Sequence, residues 1–399
     1  MKAIAFFSSC KELEILKKQD YFNSILLVAL TPEADLALEK FPSRGKTIED
    51  YYSEKTLNIT GNSSLEKVQE ICDFIDANYF SPKQKFSCSD VYMFVKLLHD
   101  QLLINHTFCK AVLEQEKPKK IILFDLPRLS ETILSESNDD LLINFIHYFF
   151  YQINQIECEI LHLENDIVTK KDNFLFSFFS SYKKTLSTLK FKCENQLFRL
   201  VNFNKPSIYI LQHYDFEVCK KFRGEFKLYW QFKKNLQLRF QQLVSKKPIL
   251  TKRANSSCQE HIEKMFAFED ISYYSLIELK LNFLINTLPD TFDHLVSHYM
   301  SLFTKKKIRV VISASGQSLK ILSGIAAADF CNIPVIWGQH GGFYGYADFP
   351  ITKYLNRHYS HYFLYTDACS VVNGGVSCFT VSNSKLIHLY RKKRLSSEF

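Results

Sequence analysis

The stretch from Lys307 to Gly345, KIRVVISASGQSLKILSGIAAADFCNIPVIWGQHGGFYG, constrains the fold more than any other part of this 399-residue chain. An apolar run (Ile308, Val310, Val311, Ile312) stops at the Ser-Ala-Ser-Gly turn, 313–316, and a helical segment follows from Gln317 to about Phe330. A second apolar run, Pro334–Trp337, then ends in Gln339-His340-Gly341-Gly342. Short apolar runs closed by turn residues and joined by one helix specify a parallel β-α-β unit. Open α/β sheets bind ligands beyond the carboxyl ends of their strands. Both polar turns, 313–318 and 338–346, are therefore candidate sites.

The second turn carries the sharper signal. Gly338, Gly341, Gly342 and Gly345 are four of only eleven glycines in the chain. A glycine-poor chain places glycine where φ is positive or where backbone closely approaches a ligand. Clustered around Gln339 and His340, these glycines predict exposed N–H groups and a histidine presented at a strand end; the alternative is a loop with an incidental histidine. In the first turn, Ser315, Gly316 and Gln317 precede a helix whose N-terminus can seat an anionic group.

Read from the beginning, strand and helix alternate. Strands are expected at Ala3–Phe7, Ser24–Leu30, Lys120–Asp125 and Cys158–Leu163. Between them lie helices from about Lys11 to Lys18, from Pro32, from Ser63 or Ser64 to about Asn78, from Ser89 to about Glu116, and over Asp139–Ile156. This rhythm predicts a doubly wound α/β domain. Over 165–305 helical patterns dominate, with one strand candidate at Ser207–Leu211, and the expectation is a helical insertion in the same domain. Residues 1–345 would then form one Rossmann-like domain with a mostly parallel sheet. Residues 346–399 would be a linker and the incomplete start of a second such domain.

Charged residues at 23% and hydrophobic ones at 46% describe an ordinary globular chain. The net charge of +8 is spread along the sequence; it favours anionic partners such as a nucleotide sugar or a phospholipid surface, and lacks the dense basic footprint of a nucleic-acid binder. Eleven cysteines occur without a C-x-x-C pair, so neither zinc-ligand spacing nor a disulfide framework is visible. The apolar run near the N-terminus is too short for a secretion signal, and no segment approaches the roughly 20 apolar residues of a membrane span. A cytoplasmic protein is expected. Asp293, His294 and His298 share a helix face, but the glutamate and third ligand of a catalytic zinc motif are missing. Asp125, at the end of a predicted strand, either lines a cleft or satisfies backbone N–H groups.

The segment VVISASGQSLKILSGIAAADFCNIPVIWGQHGGFYGYADF resembles a family of bacterial surface-carbohydrate transferases. These are glycosyltransferases of the two-Rossmann-domain (GT-B) type, with a strand ending in Gln-His-Gly-Gly-x-Tyr-Gly. The resemblance implies transfer of a sugar or sugar-phosphate unit from a nucleotide-activated donor to a glycan or lipid-linked acceptor, in capsule, O-antigen or lipopolysaccharide synthesis. It implies His340 as general base or donor-phosphate contact, with Gln339, Gly341, Gly342, Tyr344 and Gly345 at motif positions, and no cofactor, metal or nucleic acid. Peripheral association with the inner membrane fits the same reading. The chain departs from the family pattern over Ile351–Tyr365, which lacks the family's acidic residues and its Trp-Gly pair. With a second domain expected to begin only near Phe363, weak donor binding is expected, and a non-enzymatic, degenerate domain is the alternative.

Overall fold

Ser9 and Thr31 set the first two strand-to-helix transitions. β1 (Ala3–Phe7) is buried along nearly its whole length. The Ser9 side chain then accepts from the Glu12 N–H and caps α1 (Cys10–Lys17). β2 (Ile25–Ala29) is followed by Thr31, which accepts from the Ala34 N–H and caps α2 (Pro32–Leu38), with Pro32 in the first turn. The edge strand β3 (Gly45–Thr47), the long helices α3 (Glu54–Tyr79) and α4 (Tyr92–Glu116), and β4 (Lys120–Phe124) follow. α5 (Asp139–His147) widens into a π-turn over Tyr148–Ile153 before β5 (Glu157–Leu161). The computed structural model describes residues 3–41, 43–51, 54–127, 129, 139–163, 205–211, 226–230, 256–313, 318–338, 361–364 and 377–380.

These five strands form one parallel sheet in the order β3-β2-β1-β4-β5. The order reverses direction between β1 and β4, which makes that gap the topological switch point of a doubly wound fold. Alternate residues of β1 face opposite layers. Ala5 and Phe7 pack with Leu13 and Leu16 of α1 and with Ala34 and Leu38 of α2. Phe6 meets Phe108 of α4 edge-on at 6.1 Å and Phe150 at 5.9 Å. Both faces of the sheet are thus covered by helices, as parallel sheets require. Each large side chain so buried contributes about 1.5–3 kcal/mol.

A second sheet, again parallel, is built from later strands. These are β6 (Ser207–Ile210), β7 (Lys227–Trp230), β10 (Ile308–Ser313), β11 (Val335–Gly338), β12 (His361–Leu364) and β13 (Ser377–Thr380). Their order is β13-β12-β11-β10-β6-β7, with the reversal between β6 and β10. The small antiparallel pair β8 (Ala267–Phe268) and β9 (Ile271–Ser272) lies between α6 (Ser256–Met265) and α7 (Tyr274–Asn282). After a π-turn at Phe283–Thr287 comes α8 (Leu288–Lys306), with Pro289 in its first turn and Lys307 as a left-handed C-cap. Tyr209 of β6 packs edge-on against Tyr299 and Phe303 of α8, at 6.0 and 5.3 Å.

α9 (Leu319–Phe330) joins β10 to β11. A Cβ on its Gly324 would stand 2.4 Å from Leu211 Cδ2, so the helix passes the end of β6 at a separation that suits glycine. Gly324→Val is expected to cost about 1–3 kcal/mol through overpacking, read as a lower urea midpoint. An unchanged midpoint would mean that Leu211 swings aside freely.

The chain is α/β with parallel sheets and helices, as its alternation predicts. Its division differs from the expectation. It forms two compact units, one of Met1–Phe80, Tyr92–Val168 and Leu250–Asn286, the other of Ser81–Val91, Thr169–Ile249 and Thr287–Phe399. The expected single domain over 1–345, with an insertion at 165–305, is corrected: β6 and β7 pair into the second sheet, and β10 joins them rather than the first sheet. The expected incomplete domain after 346 is corrected likewise, because β12 and β13 extend the sheet that already holds β10 and β11. Periodicity reports that a strand exists, whereas pairing between distant strands is a tertiary choice. Within 165–305, the helical sequence patterns at 169–192, 214–222 and 235–246 lie outside the described residues. Among the described residues, no helix is long and apolar enough to cross a membrane.

Candidate functional site

Two sheet edges hold the candidate chemistry, one in each unit. In the second unit β10 and β11 are parallel neighbours with Ser313 opposite Trp337, so both strands end at the same edge. β10 also borders the switch point beside β6. Ser313 is fully buried at the end of β10, and Ser318 begins α9, its side chain accepting from the Ile321 N–H at 3.4 Å. In sequence, Ser315, Gly316 and Gln317 fall between those two serines. Gln339, His340, Gly341, Gly342, Tyr344 and Gly345 follow Gly338, the last residue of β11. All nine of these candidate residues lie outside the described residues; the structure supplies the strands that lead into them.

In the first unit the carboxyl edge is described in detail. Asp125 follows β4 directly. Its N–H donates to the Leu161 carbonyl at 3.1 Å, and its Oδ2 accepts from the Leu163 N–H at 3.0 Å. Its Oδ1 stands 2.8 Å from His162 Nδ1. The Leu163 amide, and then the His162 imidazole, hold the Asp125 carboxyl below its ordinary value. A carboxylate only accepts, so Nδ1 donates the proton of this bond. The His162 side chain is 82% exposed.

Across the switch point, the carboxyl end of β1 is lined by carboxylates of its own chain. Glu12 Oε2 accepts from the Ser8 N–H, and Glu33 Oε1 accepts from the Cys10 N–H at 3.2 Å. Burial raises the Glu12 carboxyl, against the bonds from Ser8 and Ser9, and the charges of Asp125 and Glu33 raise it further. The N–H groups that would otherwise attract a phosphate at the start of α1 are therefore already answered by protein anions.

Asp125 plays the backbone-satisfying role weighed from sequence, and it also orients a histidine. That histidine was missed. The sequence pattern puts His162 inside a strand reaching Leu163, whereas β5 ends at Leu161; the parallel register that sets Phe124 beside Leu161 puts the next residues together. Two of the three α8 side chains have partners within the fold. Asp293 accepts from the Lys85 and Phe86 N–H groups at 3.1 and 2.9 Å, and His298 packs edge-on against Tyr299. Among the described residues no three His, Cys, Asp or Glu side chains converge to hold a metal ion. Compared with models of known protein families, with curated proteins and with solved structures, the chain matches none.

Proposed function

We propose that the chain is a glycosyltransferase of bacterial surface-polysaccharide synthesis, taking a sugar or sugar-phosphate unit from a nucleotide-activated donor. The observation that carries this reading is the position of β11. The strand leading into Gln339-His340-Gly341-Gly342 has a parallel neighbour on each side, β10 and β12, in a six-stranded sheet. Two α/β units, each with a switch point, also suit the GT-B type that the motif resembles. In this reading the glycine-rich turn after β11 stabilises the leaving phosphate through backbone N–H groups, with Gln339, His340 and Tyr344 beside it and no metal needed. Ser315, Gly316 and Gln317 would add contacts at the start of α9. The protein would work in the cytoplasm, at the periphery of the inner membrane, on a glycan or lipid-linked acceptor.

The second sheet changes one expectation. Weak donor binding, and the alternative of a degenerate domain without catalysis, rested on a second unit too short to build. Six parallel strands speak for a built second unit, while Ile351–Tyr365 still lacks the family's acidic residues and its Trp-Gly pair. Donor binding by the 399-residue chain itself is now expected, and turnover of nucleotide sugars by the purified chain tests the proposal.

A further inference from the structure

The β8–β9 hairpin covers two buried histidines of α4, and its tip is strained. With Ala267 opposite Ser272 and Phe268 opposite Ile271, the turn consists of Glu269 and Asp270. Their φ angles are 48° and 68°. A two-residue turn of this kind needs positive φ at both positions, which glycine and asparagine accept readily and glutamate does not. Strained backbone persists where its surroundings hold it in place. Here the hold is Lys110 of α4, whose Nζ donates to both carboxylate oxygens of Glu269 at 2.6 Å. The glutamate side chain is 60% exposed, so solvent screens the pair and the latch is weak.

Beneath the hairpin lie His99 and His106, 3% and 4% exposed. Phe268 packs against both, at ring distances of 5.3 and 5.8 Å. Each imidazole has one nitrogen, His99 Nδ1 and His106 Nε2, without a hydrogen-bond partner among the described residues. His106 Nδ1 stands 2.7 Å from Tyr273 Oη. On the π-turn, Phe149 meets the His106 ring edge-on at 6.0 Å, and Tyr148 Oη donates to the Ser272 carbonyl. The charges bearing on His99 are Lys96, itself tied to Asp100 and Ser64, and Lys67 of α3; burial and both cations disfavour an imidazolium. At His106 burial outweighs Glu269, 3.7 Å from Nε2, and Lys110 opposes the proton as well. Both rings thus resist a proton while covered and lose that resistance in water.

We propose that residues 266–273 are a proton-released flap, which lifts from α4 when His99 and His106 take up protons while the five-stranded sheet of the same unit stays folded. An imidazole in water is protonated below about pH 6.5. Whatever state binds the proton more tightly gains population as pH falls, and here that is the lifted one. Lifting also relaxes the tip, and the opposing pull of Glu269 on His106 is shared with Lys110. The inference is independent of the transferase reading.

Native-state hydrogen exchange of the full chain at pH 7.5 and pH 5, with added urea below the unfolding transition, tests it. From the fall of the His99 pKa to about 4, protection of the Ile271 and Tyr273 amides is expected to drop about ten- to thirtyfold between the two pH values. At pH 5 these amides should exchange at least tenfold more readily than Phe6 of β1, with little dependence on urea. Protection and urea dependence equal to those of Phe6 would mean that the hairpin opens only with the whole unit, and would overturn the proposal. In a variant carrying His99→Leu and His106→Gln, hairpin protection should no longer follow pH; an undiminished response would remove the histidines as the trigger. If that variant does not fold, the two single variants decide, each being expected to lose part of the response. Lys110→Met should lower hairpin protection at both pH values and leave Phe6 unchanged, and unaltered hairpin protection would exclude the latch.

Discussion

His340→Ala is expected to lower glycosyl transfer by the full chain about a hundred- to a thousand-fold, the cost of removing one contact to charge that develops in the transition state. β11, an interior strand of a parallel sheet, leads in sequence directly into Gln339 and His340. Glycines at 338, 341, 342 and 345 allow backbone to come close to a ligand, and an imidazole among them can contact a diphosphate. His340→Ala should raise donor KM as well as lower kcat. A His340→Ala protein with wild-type kcat and KM would remove this residue from the site.

Acid is expected to unfold the protein through a different histidine. His99 of α4 is only 3% exposed and faces Phe268 and Phe266 at ring distances of 5.3 and 6.3 Å. Its Nδ1 has no hydrogen-bond partner among the described residues. Burial first, and then the charges of Lys96 and Lys67, push its pKa down to about 4 from an ordinary 6.5. Between those values the unfolded chain binds the proton and the folded chain does not. The stability is fully present above pH 6.5 and is lost as pH falls towards 4. By pH 4.5 the loss from His99 alone is about 2–3 kcal/mol. His106 adds to the trend, since burial lowers its pKa despite Glu269 at 3.7 Å. His99→Leu should remove most of the slope and spare the unsatisfied Nδ1. Urea unfolding of both proteins at pH 7 and pH 4.5 measures this; equal losses in the two would mean that His99 is already protonated in the folded state.

Much of the local structure is written in the sequence. Ala3–Phe7, Ile25–Ala29 and Lys120–Phe124 are short apolar runs buried on both faces, bounded by serine, threonine and aspartate, and nothing in their composition competes with a strand. Ser9 and Thr31 cap helices as their types predict. The start of α3 was not legible, because Glu54 to Ser63 contains Gly61 and β-branched residues that lower helix propensity, and the tertiary fold overrides it. β3 has three residues and no apolar one, so it shows no strand pattern.

The division into units was the larger miss, and its cause is specific. Ile308–Ser313 reads equally well as the next strand of the first sheet or as a strand of another; only its register with Ser207–Ile210 decides. The candidate turns were legible through glycine economy. The Asp125–His162 pair was not, since it depends on two parallel strands ending in step.

Calorimetric titration decides whether the second unit binds a nucleotide-activated donor, as proposed. UDP, GDP, CDP and dTDP, each with a matching nucleotide sugar, would be titrated into the 399-residue chain and into His340→Ala. Saturable, one-to-one binding of one nucleotide family by the wild-type chain is expected, at least tenfold weaker in the variant, a loss of about 1.4 kcal/mol. Absence of saturable binding with all four families, or equal affinity in the two proteins, would contradict it.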